Sequence, residues 1–204
     1  MNQQTRSNHW RTFAILALII TAGIITGAVI MQLNSSRTPA YLSAYGGDFT
    51  LQSVHGPVSL SDFEGKVVAV YFGYTSCPDI CPTSLAQLAA AMKKLEQDEA
   101  EKIQVLFVSF DPERDSLQHL DTYARNFHPN IIGITGSREQ IDRVTKQYGA
   151  IYEKVELPNS AMKYAYDHSS ISAVIDVKGN LRSLIRHQDT IEDMVAKLRE
   201  AMHG

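Results

Sequence analysis

Six consecutive positions, Val67-Val68-Ala69-Val70-Tyr71-Phe72, carry no charged or amide side chain and are mostly β-branched or aromatic. A strand with one wet face alternates apolar and polar residues. An unbroken run of this kind belongs to a strand buried on both faces. Residues 103–110 (Ile103-Gln104-Val105-Leu106-Phe107-Val108-Ser109-Phe110) read as a second such strand. Two buried strands with helical patterns between and after them predict a layered α/β domain.

The remaining elements follow from periodicity and punctuation. Short strands are expected over 48–53 and 57–60, with a Gly-Pro turn between them. A helix follows the first buried strand, with Leu85, Leu88, Ala89, Met92 and Leu95 on one face. A second helix spans 116–127, capped by Asp115 or Ser116. A short strand covers 131–135, and Ser137-Arg138-Glu139-Gln140 has the form of a capping box opening a helix to about Tyr148. Residues 150–167 read as a hairpin turning at Pro158-Asn159. Strands over 171–177 and 181–186 join across Lys178-Gly179-Asn180. Thr190 caps a last helix with Ile191, Met194, Val195, Leu198 and Met202 on its apolar face. Strand, helix, strand, helix, hairpin and final helix is the thioredoxin order, so the fold class is α/β, thioredoxin-like.

Ahead of this domain, residues 13–33 carry no charge and are mostly Ile, Leu, Ala, Val, Gly and Thr. About 20 apolar residues at ~1.5 Å each cross a ~30 Å hydrocarbon core, so the run reads as an N-terminal transmembrane helix. A cleavable signal peptide is the rival, with Thr26-Gly27-Ala28 as its cleavage site, but apolar residues continue beyond it. Arg6 and Arg11 precede the run and Arg37 follows. That bias puts residues 1–12 in the cytoplasm and the domain on the other side. The leader is too short for a mitochondrial transit peptide, so the expected setting is a bacterial inner membrane, single-pass, with the main domain facing the periplasm. The organisation is then residues 1–12 cytoplasmic, 13–33 anchor, 34–47 linker and 48–204 thioredoxin-like domain. From residue 48 on, 22 acidic and 16 basic residues leave a net charge of −6, which argues against nucleic acid as a partner.

The chain has two cysteines, in Cys77-Pro78-Asp79-Ile80-Cys81 at the join of the first buried strand and its helix. Ligand chemistry in open α/β sheets gathers there, and a helix N-terminus favours thiolates. Residues four apart share a helical face with β-carbons ~5–6 Å apart. Two sulfurs so placed can converge on a metal, or close a disulfide after backbone adjustment to ~3.8 Å. A purely structural disulfide gains little from so small a ring. Soft thiolates select copper(I), zinc or iron–sulfur, and two of them leave a zinc or iron–sulfur site incomplete. Of His9, His55, His119, His128, His168, His187 and His203, His168 stands just before the strand beginning at Ile171. In thioredoxin topology that entry lies beside the cysteine loop. His187, after a strand, is the next candidate.

Gly73-Tyr74-Thr75-Ser76-Cys77-Pro78-Asp79-Ile80-Cys81-Pro82 resembles the signature of the Sco/SenC family. So do Ser109-Phe110-Asp111-Pro112-Glu113-Arg114-Asp115 and Asp167-His168-Ser169, in the same order. The resemblance spans about residues 48–203 and the anchor. It implies a thioredoxin- and peroxiredoxin-like fold and copper bound through both cysteines and the histidine, here Cys77, Cys81 and His168. It also implies a part in assembling the binuclear copper centre of cytochrome c oxidase. Phe110 stands where family members often have a smaller residue. Asp111, ending the second buried strand, either tunes the site or is a turn aspartate before Pro112. Asp167 either orients His168 by a hydrogen bond or is merely solvated. Met162 offers a thioether but reads better as packing, and Tyr71, Phe72 and Tyr74 read as core or site wall.

The leading expectation is a copper metallochaperone that holds the ion in a two-thiolate, one-imidazole site and passes it on by ligand exchange. Its partners would be the copper-bearing subunit of cytochrome c oxidase, a copper donor and a thiol reductant. The alternative is a thiol–disulfide oxidoreductase that reduces the cysteines of the copper-receiving protein, with Cys77 and Cys81 as its redox disulfide. A peroxidase, hinted at by Thr75-x-Cys77, fits less well because of the second cysteine.

Overall fold

The computed structural model describes residues 13–27 and 41–203, and the chain divides into two compact units at residues 37 and 38. In the first, residues 13–27 form an exposed helix, α1. At ~1.5 Å per residue the described part of it rises about 22 Å. No described helix is long and apolar enough to cross a membrane. The rest of the apolar run, residues 28–33, lies outside the described residues, as do 1–12 with His9, and 34–40 of the expected linker.

The second unit starts with an antiparallel pair, β1 (Thr50–Ser53) and β2 (Gly56–Ser59), followed by a 3-10 turn. Then come β3 (Val67–Gly73), α2 (Ile80–Lys94), the short α3 (Gln97–Ala100), β4 (Ile103–Ser109), α4 (Leu117–Arg125), β5 (Ile131–Ile134) and α5 (Arg138–Gln147). The chain finishes with β6 (Tyr152–Leu157), β7 (Lys163–His168), β8 (Ile171–Ile175), β9 (Leu181–Arg186) and α6 (Ile191–Met202). The main sheet has the order β5-β4-β3-β8-β9. β3, β4 and β5 run parallel, while β8 and β9 add antiparallel. Every residue of β3 and β4 is buried, as the unbroken apolar runs require. α2 and α6 pack against one another with Leu85, Leu88, Met92, Met194 and Leu198 buried.

The caps decide where the helices begin. Ser116 accepts the His119 amide, so it, and not Asp115, caps α4. Ser137 with Gln140, and Thr190 with Asp193, form reciprocal capping boxes. β8 stops at Ile175, two residues before the sequence pattern would end it. There the Asp176 carboxylate takes the Lys178 and Asn180 amides and Gly179 turns at φ +83°, so the chain reverses. The excursion after α5 is the expected hairpin, but β7 runs through His168, which pairs with Tyr152. This hairpin pairs only with itself and forms no ladder with the main sheet.

Candidate metal centre

The loop that carries the cysteines is pinned from below by Asp115, which is 1 % exposed. Its carboxylate accepts from the Thr75 amide (3.0 Å), the Thr75 hydroxyl (2.5 Å) and the Ser109 hydroxyl (2.5 Å). Thr75 has already given its one hydroxyl proton to Asp115, so His119 Nε2, 3.0 Å from Thr75 Oγ1, must donate. His119 is therefore a brace for the loop, with that nitrogen protonated.

The two sulfurs sit on this support in unlike surroundings. Both thiols are free; Cys77 is 9 % exposed at an open cleft, while Cys81, in the first turn of α2, is fully buried. Hydrogen bonding from the Cys81 thiol pushes the Cys77 pKa down to about 3 against the opposing effect of burial, with further help from the Asp79 and Cys81 amides. The same bond, burial and the neighbouring Cys77 charge push Cys81 up. Tyr71, behind Cys81, has its own phenol pushed up, chiefly by burial and next by the charge of Cys81.

His168 closes the group from the end of β7. Its Nε2 lies 3.4 Å from Cys81 Sγ, and its Nδ1 lies 3.1 Å from the Ser169 carbonyl. A carbonyl only accepts, so that bond places the proton on Nδ1 and turns the Nε2 lone pair towards the sulfurs. This is the tautomer a metal ligand needs. One ligand atom from each of Cys77, Cys81 and His168 lies within 4.8 Å of the others. No other cluster of three or more metal-ligating His, Cys, Asp or Glu side chains occurs among the described residues.

The ring is held in an aromatic box. Its centroid is 5.3 Å from Phe110 and 6.1 Å from Tyr74, and Phe110 stacks at 4.7 Å on Tyr152. Tyr74 also accepts the Tyr166 amide, which lies on the β7 edge away from β6. Arg138 ties the box together, donating to the Phe110 carbonyl, Glu113 and the Tyr152 and Tyr166 hydroxyls.

The two expected auxiliary aspartates stand elsewhere. Asp111 is fully buried and accepts from the Arg114 guanidinium and the Tyr164 hydroxyl. Arg114 in turn donates to the Met162 and Tyr164 carbonyls. Asp111 thus fastens the hairpin that carries His168 and is not among the clustered ligands. The Met162 contribution is likewise its carbonyl. Asp167 is exposed at the cleft rim, and the contact that orients the His168 ring comes from Ser169. His187 bonds Ser84 at 3.1 Å. His128 accepts the Asn130 amide, and His55 sits by Arg125. None of these joins the group. Asp115, Arg114 and Arg138 carry the architecture without having been singled out for it. The available signal was the Ser109–Asp115 motif itself, which contains two of them.

A sheet whose first buried strand delivers two thiols to a helix N-terminus, with an imidazole brought in by a neighbouring hairpin, defines a thioredoxin-like protein with a dithiol–imidazole centre. A family model for SCO1/SenC matches residues 37–203. The chain belongs to that family. It is 36% identical over 183 residues to an SCO2-like protein of Rickettsia prowazekii, covering 85% of this chain and 88% of that one. Its fold is similar to Arabidopsis thaliana ScoI, solved with copper bound (TM-score 0.73, 34% identity, 79% of this chain and 100% of that chain). It is also similar to BsSco, a member of the Sco family of cytochrome c oxidase assembly proteins in which a disulfide switch was identified (TM-score 0.62, 26% identity, 79% and 95%).

Proposed function

We propose that this chain is a membrane-anchored copper metallochaperone. In this reading Cys77, Cys81 and His168 hold the ion, and the protein assists assembly of the binuclear copper centre of cytochrome c oxidase. The observation that carries it is the convergence of two sulfurs and an unprotonated imidazole nitrogen within 4.8 Å. That donor set is soft and has three members, which suits copper(I) better than the closed four-ligand sites of structural zinc. Copper in the solved Arabidopsis thaliana relative supports the choice of metal, and the family of BsSco supports the choice of recipient. Copper passes on by ligand exchange to the copper-bearing subunit, after supply by a donor protein and reduction of the pair by a thiol reductant. Asp111 acts by fastening the hairpin and Asp167 by lining the cleft. The uncharged run over 13–33 anchors the domain on the periplasmic side of a bacterial inner membrane; its support is the length of the run and the helix over 13–27. Copper stoichiometry with X-ray absorption on the reduced protein tests the reading. One copper per chain with sulfur and nitrogen neighbours is expected, and a copper site without sulfur would overturn it.

The asymmetry of the thiols favours a second reading, a thiol–disulfide oxidoreductase acting on the cysteines of the copper-receiving protein. A thiolate at Cys77 with a protonated partner at Cys81 is the arrangement for attack on a disulfide followed by internal resolution. Reversible formation of a Cys77–Cys81 disulfide, seen as a loss of two hydrogens in intact mass, is expected under either reading. Turnover with a disulfide-bonded acceptor peptide is expected under the second alone.

A further inference from the structure

We propose that Gly73 is a positioning residue for the centre: its missing side chain forms the seat of the Cys81 sulfur and so sets the spacing of the three ligand atoms. The inference rests on the copper reading above. Gly73 is the last residue of β3, directly beneath the cysteine loop. It is not one of the positive-φ glycines, so no backbone conformation requires glycine there. Space does. A β-carbon built on Gly73 would lie 2.8 Å from Cys81 Sγ, 2.9 Å from Phe107 Cε2 and 3.3 Å from a Tyr71 ring carbon. The sulfur therefore rests on bare backbone, with His168 Nε2 at 3.4 Å.

The size of the effect follows from these distances. Ordinary contact with a β-carbon begins near 3.4 Å, so a methyl group at Gly73 moves the sulfur by about 0.6 Å. Ligand constellations hold their function only within ~0.5 Å of the working geometry. The displacement is therefore enough to spoil a three-ligand site while leaving the ligands themselves present.

The test compares Gly73→Ala with Gly133→Ala in the full chain. Gly133 lies in β5, where a β-carbon would meet the Leu120 carbonyl oxygen at 2.6 Å, so its substitution strains packing away from the sulfurs. The double variant Gly73→Ala/Phe107→Leu relieves the second contact at Gly73 and keeps the sulfur contact, which serves if the single variant does not fold. Two quantities are read per folded molecule: copper affinity of the reduced protein under a competing chelator, and the metal-free alkylation rate of Cys81. With Gly73→Ala or the double variant, copper binding weakens ~10-fold or more, the size typical of lost ligand support, and the displaced Cys81 alkylates faster. With Gly133→Ala both stay at parent values. Parent values for both with the Gly73 variants, or changes no larger than those of Gly133→Ala, overturn the proposal. If the parent itself binds no copper, the copper reading fails, and the alkylation rates still decide whether Gly73 seats the sulfur.

Discussion

Replacing His168 by Ala removes the third donor and leaves both sulfurs where β3, α2 and Asp115 hold them. The ring is only half-buried and its polar contacts are the Ser169 carbonyl and Cys81. Its loss should therefore cost fold stability no more than the ~1 kcal/mol of an ordinary substitution. The cost to the metal is larger. Removing a partner that merely orients a ligand weakens metal binding ~10–100-fold, about 1.4–2.8 kcal/mol at ~1.4 kcal/mol per decade. Removing one of three ligands outright should exceed that upper figure. The assay is copper affinity of the reduced chain under a competing chelator, with thermal denaturation alongside and His187→Ala as control. His187 bonds Ser84 and lies outside the ligand group, so the control should keep the parent affinity. The Cys77–Cys81 disulfide should still form in His168→Ala. If that variant binds copper as tightly as the parent, the three-ligand site is wrong and the oxidoreductase reading moves ahead of it.

Three further outcomes are expected. With its pKa near 3 the Cys77 thiol is already ionised above about pH 4, so its alkylation rate should stay nearly flat from pH 5 to pH 8 and exceed that of Cys81 throughout; a rate climbing steadily towards pH 9 would mean an ordinary thiol. Asp115→Asn leaves one oxygen where a carboxylate took three hydrogen bonds, stranding a buried donor at ~1–3 kcal/mol; urea denaturation should show the loss, and the Thr75 amide should exchange faster with solvent. An unchanged midpoint together with an unchanged exchange rate would remove Asp115 from the support of the loop. The chain should sediment with membranes and need detergent for release, and a reporter fused after residue 204 should work only outside the cytoplasm. A mature N-terminus near residue 29 would instead mark the apolar run as a cleaved signal.

The parts of this molecule that answer to local chemistry were readable from the sequence. Runs without polar interruption become buried strands, and Ser137 and Thr190 cap because their side chains reach amides three residues on. The two cysteines do not share a helix turn as their spacing suggests: α2 begins at Ile80, so Cys81 sits in its first turn and Cys77 in the loop ahead of it. His168 was readable from topology alone, as the residue before the strand that returns beside the cysteine loop. What escaped depended on contacts across long separations. Asp115 looks like a helix cap until Ser116 takes that role, which frees its carboxylate for Thr75, forty residues away. Asp111 looks like a turn residue until Tyr164 and Arg114 meet on it. The role of Gly73 is invisible without knowing which atom fills the space its side chain would need.

The burial of Cys81 leaves the three candidate ligands unequally accessible. Its sulfur is closed off by β3 below and by Cys77 and His168 in front, while Cys77 and His168 border the open cleft. An incoming donor from another protein arrives from one side only and meets Cys77 and His168 first. In the proposed copper reading, an ion leaving by stepwise replacement of ligands would keep Cys81 until the last step, which would make that sulfur the checkpoint for release.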